Sequence, residues 1–170
     1  MKKIGVGLLG FGTIGAGVVE GVRKNGGLLA SRLGSELEIR RIADLDLERD
    51  RGVEVDRSIL TRDARAVVED PAIDVVVELI GGTTVARDLI LRAIELGKPV
   101  VTANKSLLAT RGPELFALAR ARNACIAFEA SCGGGIPIID ALLRALVANR
   151  IDALLGIVNG TCNFILTRMT

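Results

Sequence analysis

A glycine-rich turn near the amino terminus constrains the fold more than any other feature of the chain. An apolar run ends in Gly10-Phe11-Gly12-Thr13-Ile14-Gly15, and a helical pattern follows at once. Gly10 permits a tight turn out of a strand, Gly12 leaves room for a pyrophosphate, and Gly15 lets the helix pack closely on the strand. The free N–H groups and the dipole of that helix would face the phosphates. The turn is therefore predicted to bind a dinucleotide, and a glycine turn without a ligand is the alternative.

Apolar segments alternate with helical segments along the rest of the chain. Strands are predicted at residues 4–9, 37–43, 53–60, 74–80, 98–102, 124–129 and 151–158. Helices are predicted at residues 13–24, 62–69, 83–96, 104–109, 113–122 and 136–149, with 25–36 as a loop or an extension of the first helix. This alternation predicts an α/β fold, a Rossmann-type doubly wound parallel sheet that binds its ligand at the carboxyl ends of its strands, where the strand order reverses.

Composition argues against several other classes of protein. The chain has no histidine, which excludes a Ser-His-Asp triad and any histidine-ligated metal site. Cys125, Cys132 and Cys162 are odd in number and lack CxxC spacing, so neither a disulfide framework nor a zinc site is expected, and the thiols fit a reducing cytoplasm. A net charge of +2 without a basic run gives no support for nucleic-acid binding. No apolar run reaches the length of about 18 residues that a membrane span needs.

Asp44 ends the second predicted strand, where a carboxylate accepts the ribose hydroxyls of NAD and repels the 2′-phosphate of NADP. Asp46 is a second candidate for this role, and a solvated turn carboxylate is the structural alternative. Nearby arginines favour a 2′-phosphate instead: Arg40, Arg41, Arg49 and Arg51. Asp44 is thus predicted to bind the cofactor, with NAD preferred over NADP.

Two further loops follow predicted strands and are expected at the same edge of the sheet. One carries Gly82 and Thr83 as candidate cofactor-binding residues. The other carries Lys105, which begins a predicted helix although the helix dipole disfavours a cation there. Lys105 could bind a carboxylate or carbonyl oxygen or pass a proton, and an ordinary surface lysine is the alternative.

The segment from Glu129 to Pro137 leaves a strand through a carboxylate and continues through three glycines. Carboxylate and backbone oxygens are the ligands of hard cations, so a cation site is one interpretation. A glycine hinge between two domains is the other. A polar turn, Asn159-Gly160-Thr161-Cys162-Asn163, follows the last predicted strand, and both substrate contact and capping of the next helix are open.

Several motifs together resemble the homoserine dehydrogenase family. They are Gly7–Gly15, Val100–Lys105, Phe128–Ser131 with Gly134–Ile139, and Gly156–Thr161. The resemblance runs over nearly the whole chain, and the last three motifs are far more specific than the glycine-rich turn. Cys132 stands where valine or threonine is expected, and Cys162 stands where threonine or serine is expected.

The resemblance implies an NAD(P)-dependent oxidoreductase that interconverts L-aspartate 4-semialdehyde and L-homoserine, for threonine and methionine biosynthesis. It implies that Lys105 is catalytic and touches cofactor and substrate near the site of hydride transfer. It also implies a sodium-like cation, held by Glu129 and by the backbone carbonyls of Cys132, Gly134 and Ile136.

The resemblance also implies a division of the chain. Residues 1–130 would form the NAD(P)-binding domain, and residues 131–170 would begin a substrate-binding and dimerisation domain that continues well beyond residue 170 in family members. We therefore expect a homodimer for the full-length protein, with cofactor binding but no turnover by these 170 residues alone. A module that only binds NAD(P), and another amino-acid dehydrogenase of the same fold, are the alternatives.

Overall fold

A computed structural model describes residues 1–157 and 160–169 of the chain. In these residues six strands form one sheet: β1 Lys2–Leu9, β2 Ser35–Ala43, β3 Leu60–Thr61, β4 Val75–Glu78, β5 Val100–Thr102 and β6 Ile126–Ala127. The helices are α1 Thr13–Leu33, α2 Ala64–Glu69, α3 Val85–Glu95, α4 Lys105–Ala121, α5 Ile138–Asp140 and α6 Gly160–Met169. A π-helical turn, Ala141–Ala145, continues α5, and 3₁₀ turns lie at Arg57–Ile59 and Glu129–Ser131.

The sheet is parallel throughout, with the strand order β3-β2-β1-β4-β5-β6. The order reverses between β1 and β4, which is where a doubly wound fold binds its ligand. The register aligns the strand ends, because Leu9 is paired with both Ala43 and Glu78, and Glu78 is paired with Thr102. We call this row of strand ends the carboxyl edge. The predicted Rossmann-type fold is confirmed.

The core has two layers, one on each face of the sheet. Leu8 and Val77 pack with Ala16 and Val19 of α1 on one face. Residues next to them in the strands point to the other face and pack beneath α2, α3 and α4, among them Leu9, Val76 and Val100. Strands that are apolar on both faces are typical of a parallel sheet covered by helices on both sides.

Two helices are longer than predicted. The extension alternative is correct for α1, which ends at Leu33 because Gly34 adopts a left-handed φ of 67° and donates its N–H to Ala30 O at 2.9 Å. The two helices predicted on either side of Pro113 are one helix, α4. Proline removes only one helical donor, and burial of Leu107 and Leu115 in the core holds the two halves in line.

The last part of the chain departs most from prediction. The helix predicted at 136–149 is limited to α5 and its π-helical turn. The strand predicted at 151–158 is wrong for residues 151–157, which have no regular structure and are exposed, while Val158 lies outside the described residues. A strand needs a neighbour with which to pair, and the described residues provide none there. No helix in the described part of the chain is long and apolar enough to cross a bilayer.

Candidate functional site

The glycine-rich turn joins β1 to α1 at the carboxyl edge and is tightly packed at two of its glycines. Gly10 has a φ of 100°, and its N–H donates to Ala43 O at 2.8 Å. A Cβ on Gly10 would lie 2.8 Å from the backbone of Leu79, and a Cβ on Gly15 would lie 2.2 Å from Gly10 O. These two glycines are therefore required by the path of the backbone itself.

Gly12 differs, because a Cβ on it would meet nothing within 4 Å. It is the N-cap of α1, and among the described residues no side chain accepts a hydrogen bond from the first turn of that helix. The first turn also carries no acidic residue, and both Thr13 and Ile14 are exposed. A helix N-terminus with free N–H groups, open space and no acid of its own fits the phosphates of a dinucleotide.

Asp44 links the end of β2 to this turn. Its Oδ2 accepts from Phe11 N at 2.6 Å, and its Oδ1 accepts from Asp46 N at 2.9 Å. Arg51 Nη2 lies 3.3 Å from Asp44 Oδ1 and donates to Asp46 O at 2.9 Å. Asp44 is thus held from three sides and is largely shielded from solvent, and its role in cofactor binding stays a prediction.

Asp46 has a local role instead. Its Oδ1 accepts from the backbone N–H groups of Glu48 and Arg49, both at 3.2 Å. Of the two carboxylates, only Asp44 bonds to the glycine-rich turn within the described residues.

A cleft of about 700 Å³ opens between Phe11 and the segment that follows β2. Its basic lining residues are Arg23, Arg49, Arg51 and Arg57.

Arg40 and Arg41 do not line that cleft. Arg40 pairs with Glu38 at 3.1 Å, and Arg41 pairs with Asp70 at 3.5 Å. Of the four arginines named from the sequence, only Arg49 and Arg51 therefore line the cleft in the described residues, and Arg51 is itself paired with Asp44.

The loops after β4 and β5 meet at the carboxyl edge. Gly82 has a φ of 74°, and its carbonyl accepts from Asn104 Nδ2 at 2.8 Å. Asn104 also caps α4, because its Oδ1 accepts from Leu107 N at 3.1 Å. Thr83 and Lys105 are both exposed. In the described part of the chain no hydrogen bond or ion pair engages the Lys105 ammonium, which leaves it free to bind a ligand.

A buried carboxylate between these loops was missed in the sequence. Glu78, the last residue of β4, is 0% exposed, and it accepts three hydrogen bonds. They come from Ile80 N at 2.9 Å, Gly81 N at 3.0 Å and Thr102 Oγ1 at 2.7 Å. An acid that directly follows three valines of a buried strand was the signal, because it cannot face solvent there.

Glu129 binds the start of α5. Its two carboxylate oxygens accept from Ile139 N and Asp140 N, each at 2.9 Å. Cys132 is half-buried and donates its N–H to Glu129 O at 3.1 Å, while Gly134 and Ile136 are exposed. Within residues 1–157 and 160–169, no group of three or more acidic or cysteine side chains is placed to hold a metal ion.

The polar turn predicted at residues 159–163 is only partly described. Asn159 lies outside the described residues, and Gly160–Asn163 form the first turn of α6. The structure therefore brings together the loops after β1, β2, β4 and β5, whereas α6 forms a separate element after the sheet.

Comparison with known protein families gives a consistent result along the chain. Residues 10–129 match the family described as homoserine dehydrogenase, NAD binding domain, and residues 137–170 match the family described as homoserine dehydrogenase. Homoserine dehydrogenases from Neisseria gonorrhoeae and Bacillus subtilis are 47% and 44% identical to the chain. Each match covers 99% of this chain, which spans 39% of the length of either relative.

Solved structures give the same result. A homoserine dehydrogenase from Thiobacillus denitrificans superposes with a TM-score of 0.93 at 49% identity, over 99% of this chain and 39% of that one. A hyperthermophilic archaeal homoserine dehydrogenase, solved in complex with NADPH, gives a TM-score of 0.65 at 27% identity. That match covers 82% of this chain and 48% of the archaeal chain.

Proposed function

This chain belongs to the homoserine dehydrogenase family, and from that premise we propose that it is the cofactor-binding part of an NAD(P)-dependent oxidoreductase. The proposed reaction interconverts L-aspartate 4-semialdehyde and L-homoserine. The observation that most directly supports a cofactor site is the open space at Gly12. Gly12 lies at the N-terminus of α1, at the point where the strand order reverses. Residues 10–15 would hold the pyrophosphate, and Gly82 and Thr83 would line the path toward the nicotinamide.

Lys105 is proposed to act on the substrate oxygen. A nicotinamide cofactor, when bound, supplies or accepts the hydride at the substrate carbon. The Lys105 ammonium has no partner in the described residues and stands at the carboxyl edge. It would bind the carbonyl oxygen of the aldehyde and stabilise the negative charge that develops on that oxygen. The same ammonium would donate the proton that completes the alcohol and would be left as a neutral amine, which takes up a proton from solvent before the next turnover.

NAD is proposed as the preferred cofactor. The support is Asp44, whose carboxylate lies against Phe11 N at the place where the adenine ribose of a dinucleotide is bound in this fold. A carboxylate repels a 2′-phosphate, but the adjacent Arg51 offsets part of that repulsion. The preference is therefore expected to be moderate.

A monovalent cation such as sodium is also proposed, at Glu129 and the carbonyls of Cys132, Gly134 and Ile136. Each Glu129 oxygen accepts one N–H and retains capacity for a second ligand. The carboxylate can thus cap α5 and bind a cation together. Replacing sodium chloride with choline chloride is expected to lower the unfolding midpoint of the wild type and to leave that of Glu129→Gln unchanged. Equal responses would contradict the cation site.

Cofactor titration and turnover test the proposal separately. NAD and NADP are titrated into the chain by isothermal titration calorimetry, and homoserine oxidation is assayed in the whole enzyme that the source organism produces. Binding of neither cofactor would contradict both the dehydrogenase and the binding-module interpretations. Oxidation of another hydroxy compound, with homoserine untouched, would favour a different dehydrogenase of the same fold.

Lys105→Ala tests the catalytic role. We expect kcat to fall by about 10²-fold or more, while the unfolding midpoint stays equal or rises, because a cation is removed from a helix N-terminus. Lys2→Ala is the matched control, since Lys2 is also exposed but lies at the amino end of β1. Normal kinetics in Lys105→Ala would remove this residue from the mechanism.

A further inference from the structure

The end of β4 holds a carboxylate that the proposed reaction does not use. Glu78 is fully buried, and the described residues place no cation in hydrogen-bond contact with it. Its three donors are two backbone N–H groups and one hydroxyl. A buried acid with this set of neutral donors is costly unless every donor is correctly placed, so its surroundings must be well ordered.

The two oxygens of Glu78 serve different loops. Oε1 accepts from Ile80 N and Gly81 N, which start the loop that leads to Gly82 and Thr83. Oε2 accepts from the hydroxyl of Thr102 at the end of β5. One rigid carboxylate thus fixes the start of the β4 loop with respect to the end of the neighbouring strand.

The hydrogen bonds continue from Thr102 to the residue before Lys105. Thr102 Oγ1 accepts from Asn104 N at 3.0 Å, and the Asn104 side chain donates back to Gly82 O at 2.8 Å. The path from Glu78 therefore closes into a ring that includes both loops. We call Glu78, Thr102 and Asn104 the Glu78 cluster. All three are buried.

A third segment is joined to this ring. Ser131 Oγ donates to Thr102 O at 2.9 Å, and Ser131 is buried. The 3₁₀ turn that carries Glu129 is thereby attached to the same strand end. The hydroxyl of Thr102 is oriented by one acceptor and one donor.

We propose that the Glu78 cluster is a positioning device, which fixes the distance between the cofactor loop at Gly81–Thr83 and Lys105. This inference rests on the proposed function, because it assigns the cluster to the same site. None of the three side chains is proposed to touch the reacting atoms. If the ring is broken, the loop and Lys105 move independently, and both cofactor affinity and turnover are reduced.

Thr102→Val is the main test, and it is made in the whole enzyme that the source organism produces. Valine keeps the shape of threonine but removes the donor to Glu78 and the acceptor for Asn104 N. We expect kcat/KM for homoserine to fall at least tenfold and the Kd for NAD to rise at least threefold. Thr102→Ser retains the hydroxyl and is expected to restore both values to within about twofold of wild type.

Lys98→Met is the matched control for loss of stability. Like Thr102, Lys98 joins two segments by hydrogen bonds: it is half-buried and donates to Val68 O at 2.7 Å and to Asp70 O at 2.6 Å. Unlike Thr102, it lies before β5, at the edge of the sheet opposite the carboxyl edge. We expect a lower unfolding midpoint with unchanged kcat/KM. Equal kinetic losses in Thr102→Val and Lys98→Met would show general destabilisation and overturn the proposal.

Asn104→Ser is the second variant, should Thr102→Val fail to fold. The serine hydroxyl can cap α4, adds no charge to this buried position, and cannot replace the amide donor to Gly82 O. A Kd for NAD raised at least threefold, with an unchanged unfolding midpoint, supports the proposal, and an unchanged Kd overturns it. Wild-type enzyme that binds neither cofactor and does not oxidise homoserine would instead show that the proposed function is wrong.

Glu78→Gln and Thr102→Val are also expected to be non-additive. If both act through one ring, the double variant loses no more activity than the worse single variant. Losses that multiply would mean that the two side chains act independently, which the ring does not allow.

Discussion

The glycines of the turn after β1 are present for different physical reasons. A side chain at Gly15 would collide with Gly10 O, whereas a side chain at Gly12 would extend into open space. Loss of Gly15 should therefore affect folding, and loss of Gly12 should affect only what binds there.

Gly12→Val is expected to fold normally and to bind NAD at least tenfold more weakly, which corresponds to about 1.4 kcal/mol. Its φ of −71° suits an L residue, so the free energy of unfolding should change by less than about 1 kcal/mol. Gly26→Val is the control, because a Cβ there also meets nothing within 4 Å but lies farther along α1. Unchanged NAD affinity in Gly12→Val would contradict the placement of the pyrophosphate.

Asp44→Ser should change the choice of cofactor. Removing the carboxylate eliminates the repulsion of a 2′-phosphate and frees Arg51 to bind it. The ratio of the NADP to the NAD dissociation constant is expected to fall about tenfold, measured by titration of both cofactors. Asp46→Ser serves as the control because Asp46 caps only its own turn. A larger shift in Asp46→Ser would mean that the acidic residue at the ribose was assigned incorrectly.

The residues of the site differed in how well they could be predicted. The glycine-rich turn, Asp44 and Lys105 carry local signals, because each directly follows an apolar run that predicts a strand. The three valines before Glu78 indicate that this acid is buried, but its role depends on Thr102, which is distant in sequence and adjacent only in the sheet. Non-local pairing of this kind is invisible in a single sequence.

Ion pairs link the three helices that cover one face of the sheet. Arg92 of α3 donates to Glu69 of α2 at 2.9 Å. Arg87 of α3 donates to both carboxylate oxygens of Glu114 in α4. The Arg87 hydrogen bond lowers the pKa of Glu114 below its usual value of 4.5. Arg92 and then Arg65 lower the pKa of Glu69 in the same way.

The stabilisation from Glu114 should disappear in acid. A carboxyl group with a lowered folded-state pKa stabilises the fold above its ordinary pKa, and this contribution is lost as the pH falls through the folded-state value. Glu114→Gln is therefore expected to lower the unfolding midpoint near neutral pH, and this difference from the wild type should shrink as the pH falls and vanish once Glu114 is protonated in the folded protein. Glu36→Gln, an exposed site with no ion pair in the described residues, should match at every pH. If the unfolding midpoints of Glu114→Gln and the wild type still differ in acid, the ionised carboxylate of Glu114 is not the source of the stabilisation.

The elements were predictable where the pattern is local. β1, β2, β4, β5, β6 and α3 lie within a few residues of prediction, since apolar runs and helical periodicity determine them. The strand predicted at 53–60 is wrong except at its last residue, because β3 is Leu60–Thr61 and a 3₁₀ turn occupies Arg57–Ile59. The extent of α1 depended on Gly34, and the continuity of α4 through Pro113 depended on packing of its two halves against the core. Residues 151–157 are apolar enough for a strand, but pairing is a property of the whole sheet rather than of the segment.

Buried apolar residues are distributed unevenly along the chain as a whole. In the described part of the chain, every buried hydrophobic residue lies between Val6 and Ile126, in the sheet, in α1 to α4 or in the loops that join them. Beyond Ser131 the described residues are half-buried or exposed, and large apolar side chains such as Leu155 and Ile157 are 96% and 86% exposed. The predicted boundary between residues 130 and 131 agrees with this distribution and stays a prediction.

Limited proteolysis tests the boundary. Trypsin is expected to cut first after Arg144 and Arg150, whose side chains are 83% and 91% exposed, and to leave the sheet intact. Arg51, with a 10% exposed side chain, is the internal reference for a protected site. The trimmed product should retain its cooperative unfolding and its affinity for NAD. First cleavage between residues 47 and 57 would contradict the boundary.

The alignment of strand ends has a practical consequence for handling the protein. Because every loop proposed to bind the cofactor follows the end of a strand, residue 1 lies on the far side of the sheet, about 26 Å away along the eight residues of β1. Attachment to a solid support through residue 1, or through a tag joined to it, would place the point of attachment away from the loops proposed to bind the cofactor. The parallel sheet thus keeps these loops clear of the support.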